Sequence, residues 1–141
     1  MGTVYADITL RNAMDVAIAR RGKGQANISS HEIRQTTVTA LVDTGAATLV
    51  INEELQQQLG LEIARSYRAE LADGSKQVYS YSEPVEIHWK DREVSCQAII
   101  VPRASEVLLG AIPLEAMDLM VNPVDQQLIG AHGDEVLLKL K

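Results

Sequence analysis

The stretch Thr36 to Val42 is rich in β-branched residues and stops abruptly at Asp43, Thr44 and Gly45. Side chains branched at Cβ fit a pleated surface, whereas Asp, Thr and Gly supply turn chemistry. The sequence therefore predicts a strand running directly into a turn, with a carboxylate delivered at the end of a rigid element. Strand patterning recurs elsewhere. Val4, Ala6, Ile8 and Leu10 alternate with Tyr5, Asp7 and Thr9, which is the period of a half-buried strand over Thr3 to Leu10. With no Phe and one Trp, the core must be assembled from Val, Ile, Leu and Ala, which favours a compact β-rich domain.

The rest of the chain alternates strands with turn signals. Residues Asn12 to Ser30 read as a loop or short strand with a mobile tail, and Arg20, Arg21 and Lys23 beside Gly22 and Gly24 read as a solvated loop. After a strand at Thr48 to Ile51, Asn52 can cap a helix over Glu53 to Leu59, which Gly60 stops. An Asp73-Gly74 pair predicts a two-residue turn joining Tyr67–Ala72 to Ser75–Tyr81, and its polar arms predict a hairpin that projects into solvent. Strands follow at Val85 to Trp89 and Val94 to Val101, with Lys90, Asp91 and Arg92 turning between them. Leu108-Leu109-Gly110 is an apolar strand closing on glycine. Pro113 suits the first turn of a short helix through Met117, and Leu119 to Val121 with Gln127 to Ile129 form a last hairpin.

Several function classes are disfavoured. The net charge of −6 argues against a nucleic-acid partner, because phosphate binding rests on Lys and Arg. Cys96 is the sole cysteine, so an intrachain disulfide and a cysteine-based zinc site are excluded and buried filler is its expected role. His31, His88 and His132 lack metal-ligand spacing, so each is read as surface or locally hydrogen-bonded, and no metal or other cofactor is expected. Ser29 and Ser30 beside His31 lack a nucleophile-elbow pattern and read as polar loop. Glu115 and Asp118 read as a solvated helix face. No apolar run reaches transmembrane length and Met1 to Leu10 lacks a signal pattern, so no membrane partner is expected and the cytoplasm is the expected location.

Alone, Asp43-Thr44-Gly45 is ordinary turn chemistry. Together with its surroundings the sequence resembles the retroviral-type (retropepsin-like) single-domain aspartic proteases and their bacterial relatives. Leu41-Val42-Asp43-Thr44-Gly45-Ala46 is similar to that family's active-site motif, and Leu108-Leu109-Gly110 to the motif that supports the active-site loop. The polar hairpin about Asp73 and Gly74 lies where the family carries its flap. The likeness spans about Val38 to Ile129.

The resemblance implies an all-β fold, a closed acid-protease barrel with one or two short helices, in a single domain over residues 1–141 with its core at about 33–129. It implies a homodimer too, since the chain has one such motif and hydrolysis of this type needs two carboxylates. Asp43, Thr44 and Gly45 would be the catalytic residues, with Ala46, Ala47, Ala72, Asp73, Gly74 and Ser75 lining the substrate site for a peptide or protein. Two departures stand out: where retroviral enzymes carry an acid after the active-site alanine and an arginine after the second motif's glycine, this chain has Ala47 and Ala111. The helix at Glu53 is also nearer in length to the bacterial relatives. The competing reading is a non-catalytic dimeric peptide-binding module of the same fold.

Overall fold

The structure, a computed structural model, describes residues 3–22, 32–70, 72–102 and 106–137. In chain order its elements are β1 (Tyr5–Asn12), α1 (Ala13–Gly22), β2 (Gln35–Val42), β3 (Leu49–Asn52), α2 (Glu53–Gln58), β4 (Ile63–Glu70) and β5 (Lys76–Ser82). Then come β6 (Val85–Trp89), β7 (Arg92–Cys96), β8 (Ala98–Val101), β9 (Val107–Leu109), α3 (Ala111–Ala116), β10 (Leu119–Asn122) and β11 (Gln127–Gly130). Nine strands form one sheet in the order β4-β5-β8-β3-β9-β2-β1-β6-β7, and β10 pairs with β11 alone. The fold is mostly β, with few short helices, as a retropepsin-like chain requires.

The alternation in β1 points inward as the sequence predicts. Val4, Ala6, Ile8 and Leu10 are buried, and with Leu49, Ile51, Leu59, Ile87, Leu109 and Met117 they form the aliphatic centre of the domain. β9 is the element that organises the sheet. Three residues long, it runs parallel to β2 and antiparallel to β3, so the two strands flanking the Asp43 turn are held on either side of one apolar wedge. Asn52 caps α2 by accepting from the Leu55 amide at 2.8 Å, and Gly60 leaves the helix with φ 63°, a conformation that glycine adopts without steric cost.

Four expectations need correction. First, the described pairings do not close a barrel: β4 and β7 end the strand order, and the described residues form three helices instead of one or two. β4 is exposed along nearly its whole length and pairs with β5 alone, so the sheet ends there. Second, Ala13–Gly22 is a helix, not a loop, and Arg20 and Arg21 occupy its last turn, where cations complement the helix dipole. Its buried residue is Asp15, whose carboxylate accepts from Arg34 Nε at 2.8 Å, Nη2 at 2.9 Å and the Arg34 amide at 3.0 Å. Asn12 caps the helix by accepting from the Asp15 amide at 3.1 Å. A polar tether, not an apolar stripe, docks α1.

Third, the run Val94 to Val101 is two strands. β7 pairs with β6, whereas β8 pairs with β3 and β5. At the break the Gln97 carbonyl accepts from Thr48 Oγ1 at 2.9 Å and the Ala98 amide donates to Ser82 Oγ at 3.1 Å. Side chains thus replace ladder partners where the strand changes neighbours. The preceding turn is correspondingly tight, because Arg92 already pairs with Trp89 and Lys90 carries a φ of 52°. Fourth, the last β4–β5 pair is Glu70 with Lys76, so the loop between them is five residues long. Gly74 has a φ of 86° but Asp73 stays out of the left-handed region; its side chain instead bonds the backbone two residues on.

Candidate active site

Asp43 leaves β2 where Val42 pairs with Leu109, and its amide donates to the Leu109 carbonyl at 3.0 Å. The turn that follows is closed by the Ala46 amide, which donates to the Asp43 carbonyl at 3.1 Å. Within it the Gly45 amide donates to Asp43 Oδ1 at 2.9 Å, so the carboxylate is oriented by its own loop. A Cβ on Gly45 would lie 3.1 Å from that same oxygen. Glycine at this position therefore gives the amide its close approach to the acid. Asp43 is half-buried, while Thr44, Gly45 and Ala47 are exposed.

The second glycine motif holds this loop from below. The Ala111 amide donates to the Ala46 carbonyl at 2.8 Å and the Ile112 amide to the Ala47 carbonyl at 2.9 Å. A Cβ on Gly110 would stand 2.3 Å from the Thr48 carbonyl oxygen and 2.6 Å from that of Ala46. Its φ of −92° is open to any residue, so space and not backbone conformation demands glycine here. These backbone bonds anchor the loop although Ala47 and Ala111 provide no ion pair.

Thr44 is exposed next to the acid and makes no hydrogen bond among the described residues. Ala72, Asp73, Gly74 and Ser75 are brought together at the exposed tip of the β4–β5 hairpin. There Asp73 Oδ1 accepts from the Ser75 hydroxyl at 2.6 Å and the Ser75 amide at 2.9 Å, which holds the Asp73 carboxyl below its usual range. No hydrogen bond among the described residues joins this tip to the Asp43 loop. The hairpin is rooted in the sheet lower down, through Ser80 with Ile100 and Tyr81 with Ile99.

A cavity of about 480 Å³ lies between the root of that hairpin and the active-site loop, lined by Thr48, Ile112, Arg65, Tyr67, Tyr81 and Gln97. Spacing in the sequence gives no sign of it, since it forms only when β5 pairs with β8. Cys96, expected as buried filler, packs against the core and also borders the cavity, half-buried; burial pushes its thiol pKa up.

The remaining titratable clusters lie elsewhere. Donor atoms of Glu86, His88 and Glu93 fall within 4.8 Å of one another, which is the geometry of a three-ligand cation site. His88 Nε2 bonds Glu86 and sits 3.4 Å from Glu93, and Arg11 lies 3.9 Å from Glu86. The sequence reading, confined to His and Cys spacing, missed these carboxylates. Asp118 is not merely a solvated face: it accepts from the Leu137 amide at 3.0 Å and bonds His132 at 2.7 Å, and both contacts hold its carboxyl below the usual range. Ser29, Ser30 and His31, with Lys23, lie outside the described residues.

No curated protein matches the chain. A model of the family described as gag-polyprotein putative aspartyl protease matches residues 29–116, a span containing the Asp43 loop, the β4–β5 hairpin and Gly110. On that match, and on a carboxylate held by a turn that two glycine motifs build, the chain belongs to the gag-polyprotein putative aspartyl protease family, of retropepsin-like type.

Proposed function

We propose that this protein is an aspartic endopeptidase that acts as a homodimer, with Asp43 of each copy supplying one of two carboxylates. The observation that carries the reading is the Asp43 turn: a half-buried acid at a strand end, receiving the Gly45 amide at 2.9 Å and braced from below by Gly110 and Ala111. One chain provides one such acid. A two-fold axis beside Asp43 brings in the second and puts each Thr44 hydroxyl within reach of the partner's backbone, which would give that hydroxyl a partner.

Two adjacent carboxylates do not both ionise readily, so the pair shares a proton. The ionised member takes a proton from water as the water oxygen attacks the peptide carbonyl carbon. The protonated member hydrogen-bonds to the carbonyl oxygen, and collapse of the tetrahedral species expels the nitrogen as an amine after it has been protonated. Ala72, Asp73, Gly74 and Ser75 form the flap tip above the substrate, and Ala46 and Ala47 line the floor. The net charge of −6 fits a peptide substrate better than a nucleic acid. Among the described residues no helix is long and apolar enough to cross a membrane. We place the enzyme in the cytoplasm.

Incubating the protein and its Asp43→Asn variant with a diverse peptide library tests this directly. Wild type is expected to cleave, and the variant, which keeps the loop's shape but loses both carboxylates of the pair, is expected to be inactive. Tight peptide binding without cleavage by wild type would instead identify a binding module.

A further inference from the structure

The cavity beside the active-site loop has an oriented cation in its wall. The Arg65 guanidinium carbon lies 5.7 Å from the Tyr67 ring centre and 5.5 Å from that of Tyr81, and Arg65 Nη2 donates to Gln97 Oε1 at 2.8 Å. The two rings meet edge to face at 5.6 Å and 87°. Arg65 is thus held in place by two aromatic faces and a neutral amide, and no carboxylate among the described residues pairs with it. The chain's other well-anchored arginines differ. Arg34 spends its fork on Asp15, and Arg92 is buried with its donors on the carbonyls of Met117, Asp118 and Gly133. A guanidinium fixed by rings and an amide keeps its charge and its remaining N–H groups for an incoming anion.

Its surroundings say which anion. Thr48 ends the active-site loop, and Ile112 is bonded through its amide to Ala47 of that loop, so the floor of the cavity is continuous with the turn that carries Asp43. A peptide lying along the loop can lower one side chain into the cavity, beside the two rings and onto Arg65. We propose that this cavity is a subsite for an Asp or Glu side chain of the substrate, with Arg65 as the residue that selects it; the assignment rests on the protease reading. The fork of Arg65 meets the two oxygens of a carboxylate in a charge-assisted pair, and the rings and the Gln97 amide hold that fork in place.

The test is a set of peptide pairs differing only by Glu against Gln at each position around a cleaved bond, assayed on wild type, Arg65→Met and Arg65→Glu. Melting temperature and dimer content are checked for each variant. At one fixed position wild type should prefer Glu over Gln by about tenfold in kcat/KM, mostly through KM. Arg65→Met should bring that ratio close to one, and Arg65→Glu should reverse it in favour of Gln. Cleavage with no acidic preference, or a preference that survives both substitutions, overturns the subsite and leaves the protease reading intact. If no peptide is cleaved, the protease reading falls and the subsite is judged on binding of the same fluorescently labelled pairs. Tighter binding of the Glu peptide that disappears in Arg65→Met supports it, and equal affinity overturns it.

Discussion

Gly110 passes so close to Thr48 that a Cβ at position 110 would lie 2.3 Å from the Thr48 carbonyl oxygen. The contacting atoms are backbone, which cannot swing aside as a flexible side chain does, so Gly110→Ala must push the active-site loop away from β9. The expected outcome is a destabilisation of about 2 kcal/mol from overpacking and a loss of about a hundredfold in kcat/KM from misplacement of Asp43. Urea unfolding and peptide cleavage measure the two effects. Wild-type values in both would contradict the role given to this glycine.

The β4–β5 hairpin pairs with the rest of the sheet only through Ser80 and Tyr81 among the described residues, and β4 is exposed along nearly its whole length. Few buried contacts hold it, so its amides should exchange with solvent faster than those of β2 and β8, where Ala40, Ala98 and Ile100 are buried. Hydrogen exchange read by mass spectrometry checks this. Protection over 65–79 equal to that around Ala98 would remove the basis for treating the hairpin as a flap that opens.

Order at the hairpin tip should depend on pH. Bonds from the Ser75 hydroxyl and amide hold the folded Asp73 carboxyl below its ordinary value. A depressed carboxyl contributes order that is complete above its unfolded pKa, about 4, and is lost as pH falls through the lower folded value. The Ser75 amide resonance should therefore titrate below that range in wild type and stay flat in Asp73→Asn. A Ser75 shift that follows pH in the same way in the variant would assign the effect to another group.

The parts of the fold legible in the sequence were those set by local chemistry. The Asp43 turn, the Asn52 cap and the Gly60 stop each depend on a few adjacent residues, and each is found where the sequence puts it. Helix α1 escaped because its buried residue is a charged one, Asp15, satisfied by Arg34 nineteen positions away, so no apolar period announces it. The break at Gln97 escaped for a related reason. The apolar pattern continues from Val94 to Val101, and only the bonds from Thr48 and Ser82 show that the chain changes partners there. Placement of β9 between β2 and β3, and the Arg65 cavity that follows from β5 meeting β8, are non-local pairings. Motifs mark the residues involved but not their neighbours.

The account's central claim is that one catalytic centre uses Asp43 from two copies, and mixing wild type with Asp43→Asn protein tests it most directly. The two are combined at constant total concentration, allowed to exchange subunits, and assayed for peptide cleavage across the mixing range. If both aspartates are needed, mixed dimers are inactive and activity follows the square of the wild-type fraction, falling to roughly one quarter at equal mixing. A linear decline, to roughly one half at that point, would show that one copy's Asp43 suffices and would contradict the shared centre.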